Sequence, residues 1–188
     1  MNSPQLDSHQ HYTADDYVTW NDGRRYELFH GGVHAMSPAP NLRHQGISGN
    51  LHWEIRSFLK PKATCQIFYA PVDVYLADDT VVQPDIIVVC DPSKLQNKGC
   101  VGAPDLVVEI LSPSTAKADW KDKFALYEEA GVREYWIVHP EDRLVHVFRL
   151  RDGKFQMDGT YSAEDSVRIG IFEGVTIDLK NVFESNNA

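Results

Sequence analysis

Two apolar segments constrain the fold of this chain more than any other feature of its sequence. They are residues 86–89, which read IIVV, and residues 106–111, in which Glu109 is the single charged residue. A half-exposed strand alternates apolar and polar residues, whereas a strand buried on both faces is a near-continuous apolar run. The sequence therefore predicts a central sheet that is covered on both faces.

Two amphipathic segments predict the helices that cover this sheet. Residues 42–59 carry an apolar stripe at helical spacing, formed by Ile47, Leu51, Ile55 and Phe58. A second helix, capped by Ser114 or Thr115, is predicted to end at Gly131, and its stripe is formed by Trp120, Phe124 and Tyr127.

The remaining segments are mainly predicted strands. Hairpins are predicted at 26–29 with 33–36 and at 145–150 with 154–161, single strands at 66–76, 81–90, 105–111 and 134–138, and a short helix at about 14–20. Residues 91–104 are predicted to be a loop. We expect residues 1–12 to be a flexible tail and residues 13–188 to be one α/β domain, with a mixed central sheet flanked by helices and a β-rich C-terminal part.

The composition narrows the functional classes. No apolar run approaches the roughly 20 residues of a membrane-spanning helix, and the N-terminal residues are polar and are not expected to be a signal peptide, so a cytoplasmic location without membrane association is expected. The three cysteines, Cys65, Cys90 and Cys100, form no CxxC pair, and reduced, packed thiols are expected. The net charge of −9 argues against an extended basic surface for nucleic acid, although a local basic strip can coexist with it.

Two acidic residues in these apolar strands indicate a site. Glu109 lies inside one strand and Asp85 opens the other, and an ionised carboxylate there is costly unless it is paired or binds a metal. A core salt bridge or an open strand face would also explain Glu109, and a Pro-Asp turn would explain Asp85. Two carboxylates on adjacent strands are suited to Mg²⁺, which takes one or two protein carboxylates and keeps several waters, although acid pairs on strands also occur in structural networks.

Other candidates remain open on the residues alone. Lys117 and Lys123 both flank the apolar stripe of the second helix, so periodicity does not choose between them, and either could be a solvated surface charge. Asp73 is predicted to lie nearly opposite Asp85 across a hairpin, where it could assist a metal or pair with a base. His44 falls on the apolar side of its helix and is interpreted as a core or hydrogen-bonded histidine.

Several motifs together resemble a known family. They are Pro84-Asp85, Glu109 within EILSPST, Asp119 and Lys123 ahead of Tyr127, and then GVREYWIVHP. This pattern, from about residue 26 to residue 147, is similar to the Uma-type family of restriction endonucleases, part of the PD-(D/E)XK nuclease superfamily. The resemblance implies a restriction-endonuclease-like α/β/α core.

The same resemblance assigns the site. It implies that Asp85, Glu109 and Glu27 hold Mg²⁺, or Mn²⁺, and that Lys123 completes the catalytic set. Leu111 stands where the superfamily pattern places its lysine, two residues after the acid, and the resemblance moves that lysine to Lys123 on the following helix. Glu27 resembles an early glutamate of the family, although an exposed strand glutamate is the alternative.

The expected function is therefore that of a Mg²⁺-dependent endonuclease that hydrolyses phosphodiester bonds of DNA. Two alternatives remain: a catalytically inactive nuclease-fold module that only binds, and a metal-dependent hydrolase of a small phosphoester. A homodimer is left open by analogy with enzymes that cut both strands of a duplex.

Overall fold

The computed structural model describes residues 10–36, 39–59, 64–112 and 119–184, except for the side chains of residues 119 and 120. The helices are α1 (Ala14–Tyr17), α2 (Leu42–Phe58), α3 (Asp119–Ala130) and α4 (Leu179–Phe183). The strands are β1 (Tyr26–Phe29), β2 (Gly32–Ala35), β3 (Gln66–Tyr69), β4 (Val74–Ala77), β5 (Thr80–Val82), β6 (Ile86–Val89), β7 (Leu95–Gln96), β8 (Gly99–Val101), β9 (Leu106–Ile110), β10 (Glu134–His139), β11 (Leu144–Arg151), β12 (Lys154–Ser162), β13 (Ser166–Arg168) and β14 (Thr176–Asp178).

The central sheet contains the two apolar segments. Its strand order is β12-β11-β10-β9-β6-β3, and β9 pairs with β10 in parallel while the other described neighbours are antiparallel. A second sheet has the order β2-β1-β5-β4-β8-β7, and β13 pairs with β14 near the C-terminus. The α/β class with a mixed central sheet is confirmed.

Both faces of the central sheet are covered, as the two apolar runs predict. Side chains of α2 and α4 pack on one face, against β6 residues such as Ile86 and β9 residues such as Val108. On the opposite face, α3 and the second sheet pack together against Ile87 and Val107. The residues of β6 and β9 consequently alternate between two separate apolar cores.

Helix α2 begins where its sequence allows a cap. Asn41 accepts a hydrogen bond from the backbone N–H of His44 and so satisfies one of the unpaired donors at the helix start. Of its predicted stripe, Ile47, Leu51 and Ile55 are buried, and Phe58 stays 41% exposed at the end of the helix. The predicted caps of α3, Ser114 and Thr115, lie outside the described residues, but Gly131 ends that helix with a φ of +85°.

The prediction of two continuous strands at 66–76 and 81–90 was wrong. Each splits in two, so that β3 and β6 join the central sheet while β4 and β5 join the second sheet. Pro71 and Pro84 lie at the two breaks, and proline has no N–H to donate to a strand ladder. The loop predicted at 91–104 was also wrong in part, because it contains β7 and β8.

The cysteine prediction needs a correction as well. Cys65 and Cys90 form a disulfide, while Cys100 is buried and free. In the β3–β6 ladder Gln66 lies opposite Val89, so the two cysteines occupy the next facing pair. A contact across two antiparallel strands leaves no short spacing signature in the sequence.

The ends of the chain bear on two further predictions. Residues 1–9 of the predicted flexible tail lie outside the described residues. Tyr12, however, is only 6% exposed, and its N–H donates to the carbonyl of Gly31, so the packed part begins before residue 13. No helix within the described ranges combines the length and apolarity that a membrane span requires.

Candidate active site

The acids of the two apolar strands face each other at one end of the central sheet. Ile86 pairs with Val108 in antiparallel register, so Asp85, one residue earlier, lies opposite Glu109. The backbone N–H of Ile110 donates to Oδ2 of Asp85 at 2.7 Å and fixes that carboxylate against β9. The exposed fractions of the side chains are 18% for Asp85 and 11% for Glu109.

Lys123 of α3 reaches the same place. Its Nζ lies 3.0 Å from Oε1 of Glu109 and 2.8 Å from Oε1 of Glu27, and the side chain is 10% exposed. Lys121 is exposed on the same helix, and Lys117 lies outside the described residues. Helix α3 thus turns Lys123 toward the strand that carries Glu109, while the choice between Lys123 and Lys117 stays a prediction.

Glu27 approaches from a different sheet. It lies on β1 of the second sheet and accepts a hydrogen bond from the backbone N–H of Gln83 at 2.8 Å. The alternative of an exposed strand glutamate was wrong, because Glu27 is only 7% exposed. We call Glu27, Asp85, Glu109 and Lys123 the acidic cluster; it joins β1, the entry to β6, β9 and α3.

Tyr127 and His44 hold the two facing carboxylates from opposite sides. The buried hydroxyl of Tyr127 donates to Oε1 of Glu109 at 2.7 Å. Nε2 of His44 lies 3.3 Å from Oδ2 of Asp85, while its Nδ1 is buried without a hydrogen-bond partner among the described residues. His44 is thus the buried, hydrogen-bonded histidine that the sequence predicts, and it also lines the site.

Negative charge predominates in the acidic cluster, where one ammonium faces three carboxylates. Burial raises the pKa of Glu109 to about 7, Lys123 opposes this rise, and Asp85 and Glu27 add to it. Burial also disfavours the charged form of Lys123, but Glu109 and Glu27 outweigh burial and raise the pKa of that ammonium. The cluster therefore has the electrostatic character of a cation site.

The donor set fits a hard cation that keeps its own waters. The described side chains contain no group of three or more His, Cys, Asp or Glu residues with metal-ligand spacing. Mg²⁺ needs only one or two protein carboxylates, which Asp85 and Glu109 provide on neighbouring strands. The hydrogen bonds described for these two side chains all go to Oδ2 of Asp85 and Oε1 of Glu109. A cation would therefore bind the other two oxygens, Oδ1 of Asp85 and Oε2 of Glu109.

The acidic cluster forms part of the wall of a cleft of about 780 Å³. Its other walls include Arg25, Ser48 and Tyr69. A cleft of this size admits a nucleotide-sized group, and it brings solvent to carboxylates that are otherwise almost buried.

Two residues make contacts that differ from those that the sequence predicts. Asp73 accepts hydrogen bonds from Nε2 of Gln83 at 2.8 Å and from the hydroxyl of Tyr17 at 3.0 Å, so its partners lie in and beside the second sheet. The other is Tyr127, which the periodicity assigned to an apolar stripe although its hydroxyl contacts Glu109. The signal for it was a tyrosine, rather than a phenylalanine, one helical turn after Lys123.

Comparisons with known proteins agree with this architecture. A family model described as "Uma2: Putative restriction endonuclease" matches residues 14–180. The "Uncharacterized protein slr1290" of Synechocystis sp. is 26% identical over 161 residues, which is 84% of each chain. A crystal structure described as a putative nuclease belonging to DUF820 from Anabaena variabilis superposes with a TM-score of 0.75, at 21% identity, over 92% of this chain and 97% of that one. That structural likeness concerns the fold.

Proposed function

The chain belongs to the Uma2 family of "putative restriction endonucleases", and on that premise we propose that it is a Mg²⁺-dependent nuclease that hydrolyses phosphodiester bonds of DNA. One observation carries the proposal. The ammonium of Lys123 lies within 3.0 Å of both Glu27 and Glu109, beside Asp85, at the end of two buried strands. Buried acids and a buried lysine beside a cleft open to solvent are typical of catalytic sites.

In the proposed mechanism the three carboxylates bind a metal ion, and the lysine acts on the water and the phosphate. Asp85 and Glu109, assisted by Glu27, would hold Mg²⁺ or Mn²⁺. When bound, such an ion supplies Lewis-acid polarisation of a phosphate oxygen and lowers the pKa of a water molecule. A water molecule attacks phosphorus and gives up a proton to solvent, while the P–O bond to the leaving oxygen breaks and that oxygen takes up a proton from solvent. The protein must orient the water and offset the charge that develops on the phosphate.

We assign both tasks to Lys123. As an ammonium it can donate to the attacking water or to a non-bridging phosphate oxygen, and in a nearly buried position such a donor is worth more than in water. Tyr127, Ile110 and His44 fix the carboxylates through one oxygen each. This leaves the remaining oxygens of Asp85 and Glu109 for a cation.

Cleavage of plasmid and single-stranded DNA with Mg²⁺ or Mn²⁺ tests the proposal. Glu109→Gln keeps the shape and the acceptor for Tyr127 but removes the charge, and Lys123→Met keeps the length of the side chain. We expect each to lower the cleavage rate by at least about 100-fold. Lys121→Met, on the exposed side of the same helix, is the matched control and should cut like the wild type.

Circular dichroism and thermal unfolding establish that the variants are folded, since Lys123→Met leaves Glu27 and Glu109 together without their shared ammonium. Activity that survives in folded Glu109→Gln and Lys123→Met would contradict the assignment.

One observation favours a second candidate, a nuclease-fold module that binds without cutting. The contacts of Lys123 with Glu27 and Glu109 already neutralise part of the site, and the described residues contain no cluster of three metal ligands. Calorimetric titration with Mg²⁺ distinguishes the two functions. Binding that is lost in Glu109→Gln supports the nuclease, and the absence of binding to the wild type supports the module.

A further inference from the structure

Tyr69, the last residue of β3, is an exposed aromatic residue at the cleft. It is one of the residues that line the cleft, and it is 60% exposed. A single exposed hydrophobic residue is common on protein surfaces and by itself means little. The position of this one relative to the acidic cluster gives it significance.

The strand register places Tyr69 beside Asp85. Tyr69 pairs with Ile86 in the β3–β6 ladder, and the next backbone N–H, that of Ala70, donates to the carbonyl of Asp85 at 2.9 Å. The residue that carries the exposed ring is therefore adjacent in sequence to the direct backbone partner of Asp85. A substrate whose phosphate lies at Asp85 and Glu109 would extend past this ring.

The ring is also braced. His52 of α2 contacts Tyr69 in a T-shaped arrangement, with the ring centroids 4.8 Å apart and an angle of 72° between the planes. Helix α2 is itself anchored in the core through Leu51, which precedes that histidine, and Ile55, which follows about one helical turn later. An aromatic side chain that is held in place loses little conformational entropy when a flat ligand stacks on it.

The scarcity of basic residues in the described part of the cleft makes an aromatic contact important for affinity. The chain carries a net charge of −9, and of the described residues that line the cleft, only Arg25 and Lys123 are lysine or arginine. Within the part of the chain that the structure describes, the cleft thus offers few basic side chains for phosphate attraction, which normally supplies most nonspecific affinity for nucleic acid. Stacking of bases on aromatic side chains is the other general source of affinity, and it does not depend on basic residues.

We propose that Tyr69 stacks on a nucleobase next to the bond that is cut, and that the substrate of this site is consequently single-stranded DNA. In a duplex both faces of each internal base are covered by neighbouring bases, and unstacking them costs a few kcal/mol per step, so an aromatic side chain stacks more readily on a base of a single strand. The inference rests on the proposed nuclease function, because it takes the acidic cluster as the place of the phosphate.

Binding measurements test the inference separately from cleavage. The probe is a short single-stranded oligodeoxynucleotide that carries a fluorescent adenine analogue, and the protein is the Glu109→Gln variant, which should bind without cutting. Tyr69→Ala in this background should weaken binding by about 5- to 100-fold and abolish the change in fluorescence that accompanies stacking. Tyr69→Phe keeps the ring and should retain both.

Trp53 offers a matched control. It is 71% exposed on α2, next in sequence to His52, but it is not among the residues that line the cleft. Trp53→Ala should leave binding unchanged, and binding of the same sequence as a duplex should be weaker and insensitive to Tyr69→Ala. Equal losses in Trp53→Ala and Tyr69→Ala, or tighter binding of the duplex, would overturn the inference.

The outcomes also separate the two proposals. Ring-dependent binding in a protein that cuts no DNA supports stacking and rejects hydrolysis. Cleavage of duplex DNA that requires Glu109 but is unaffected by Tyr69→Ala rejects stacking and leaves hydrolysis in place.

Discussion

At the scale of single residues, the hydroxyl of Tyr127 is the contact whose removal is most informative. It donates to Oε1 of Glu109 from a ring that is fully buried, so Tyr127→Phe removes one hydrogen bond and leaves the packing intact. We expect the loss of this hydrogen bond to destabilise the Glu109 carboxylate in its present position by about 1–3 kcal/mol, since hydrogen bonds to charged groups are stronger than average.

The measurement is the cleavage rate as a function of Mg²⁺ concentration. A carboxylate held in place less firmly should need more metal, so the Mg²⁺ dependence should shift while a purely structural loss would lower stability alone. Tyr161→Phe is the control, because its hydroxyl contacts Asp158 on β12, away from the cluster. An unchanged Mg²⁺ dependence in Tyr127→Phe would show that this hydrogen bond only stabilises the fold.

The positions of the residues in the candidate site were predictable from the sequence to different degrees. Glu109 and Asp85 stood out because a carboxylate in an apolar strand conflicts with its surroundings, and their roles stay a prediction. Lys123 needed the family resemblance, since helix geometry allowed Lys117 equally. The approach of Glu27 from the second sheet could not be derived, because it depends on pairing between strands far apart in the sequence.

The cysteines allow a second prediction at this scale. Burial raises the pKa of the Cys100 thiol to about 11, so that the thiol stays protonated and unreactive near neutral pH. With Cys65 and Cys90 joined in a disulfide, the native protein should show no thiol that reacts with a thiol reagent. Unfolding without reductant should expose one reactive thiol, and unfolding with reductant should expose all three cysteines of the sequence.

Spectrophotometric thiol titration in native buffer and in denaturant provides the counts. The Cys100→Ser variant is the control, and it should show no thiol in denaturant until reductant is added. Three reactive thiols in denaturant without reductant would contradict the disulfide.

At the scale of secondary structure elements, two prolines explain why the strand predictions failed. The apolar content of residues 66–76 and 81–90 favoured two long strands, but Pro71 and Pro84 divide each into a strand of the central sheet and a strand of the second sheet. The helices were easier, because their stripes are local patterns of one period. Strand partners are nonlocal, so hydrophobicity alone does not assign a strand to one of two sheets.

The start of α2 gives a prediction for one element. Asn41→Ala removes the acceptor for the backbone N–H of His44 and should lower the free energy of unfolding by about 1 kcal/mol. Urea denaturation followed by circular dichroism measures this loss. Asn41→Asp, which keeps the capping oxygen, should be close to the wild type, and an equal loss in both variants would show that the cap is not the cause.

At the scale of the whole molecule, the site lies where three parts of the fold meet: the central sheet, the second sheet and α3. Each part contributes a charged side chain to the acidic cluster, with Glu109 from the first, Glu27 from the second and Lys123 from the third. A cation that binds the carboxylates would link the two sheets in the folded chain and would find no such arrangement in the unfolded chain. Metal binding and global stability should therefore be coupled.

Thermal unfolding with and without Mg²⁺ tests this coupling. At a Mg²⁺ concentration about 100 times the dissociation constant, binding to the folded state alone adds about 2.7 kcal/mol, which for a chain of this size raises the unfolding midpoint by roughly 5–10 °C. Glu109→Gln should lose the shift, whereas Glu129→Gln, which alters a glutamate on α3 whose side chain is 71% exposed, should keep it. NaCl at matched ionic strength controls for general screening of the net negative charge. A shift of equal size in wild type and Glu109→Gln would place the binding of Mg²⁺ elsewhere on this acidic protein and would separate the fold from the chemistry proposed for it.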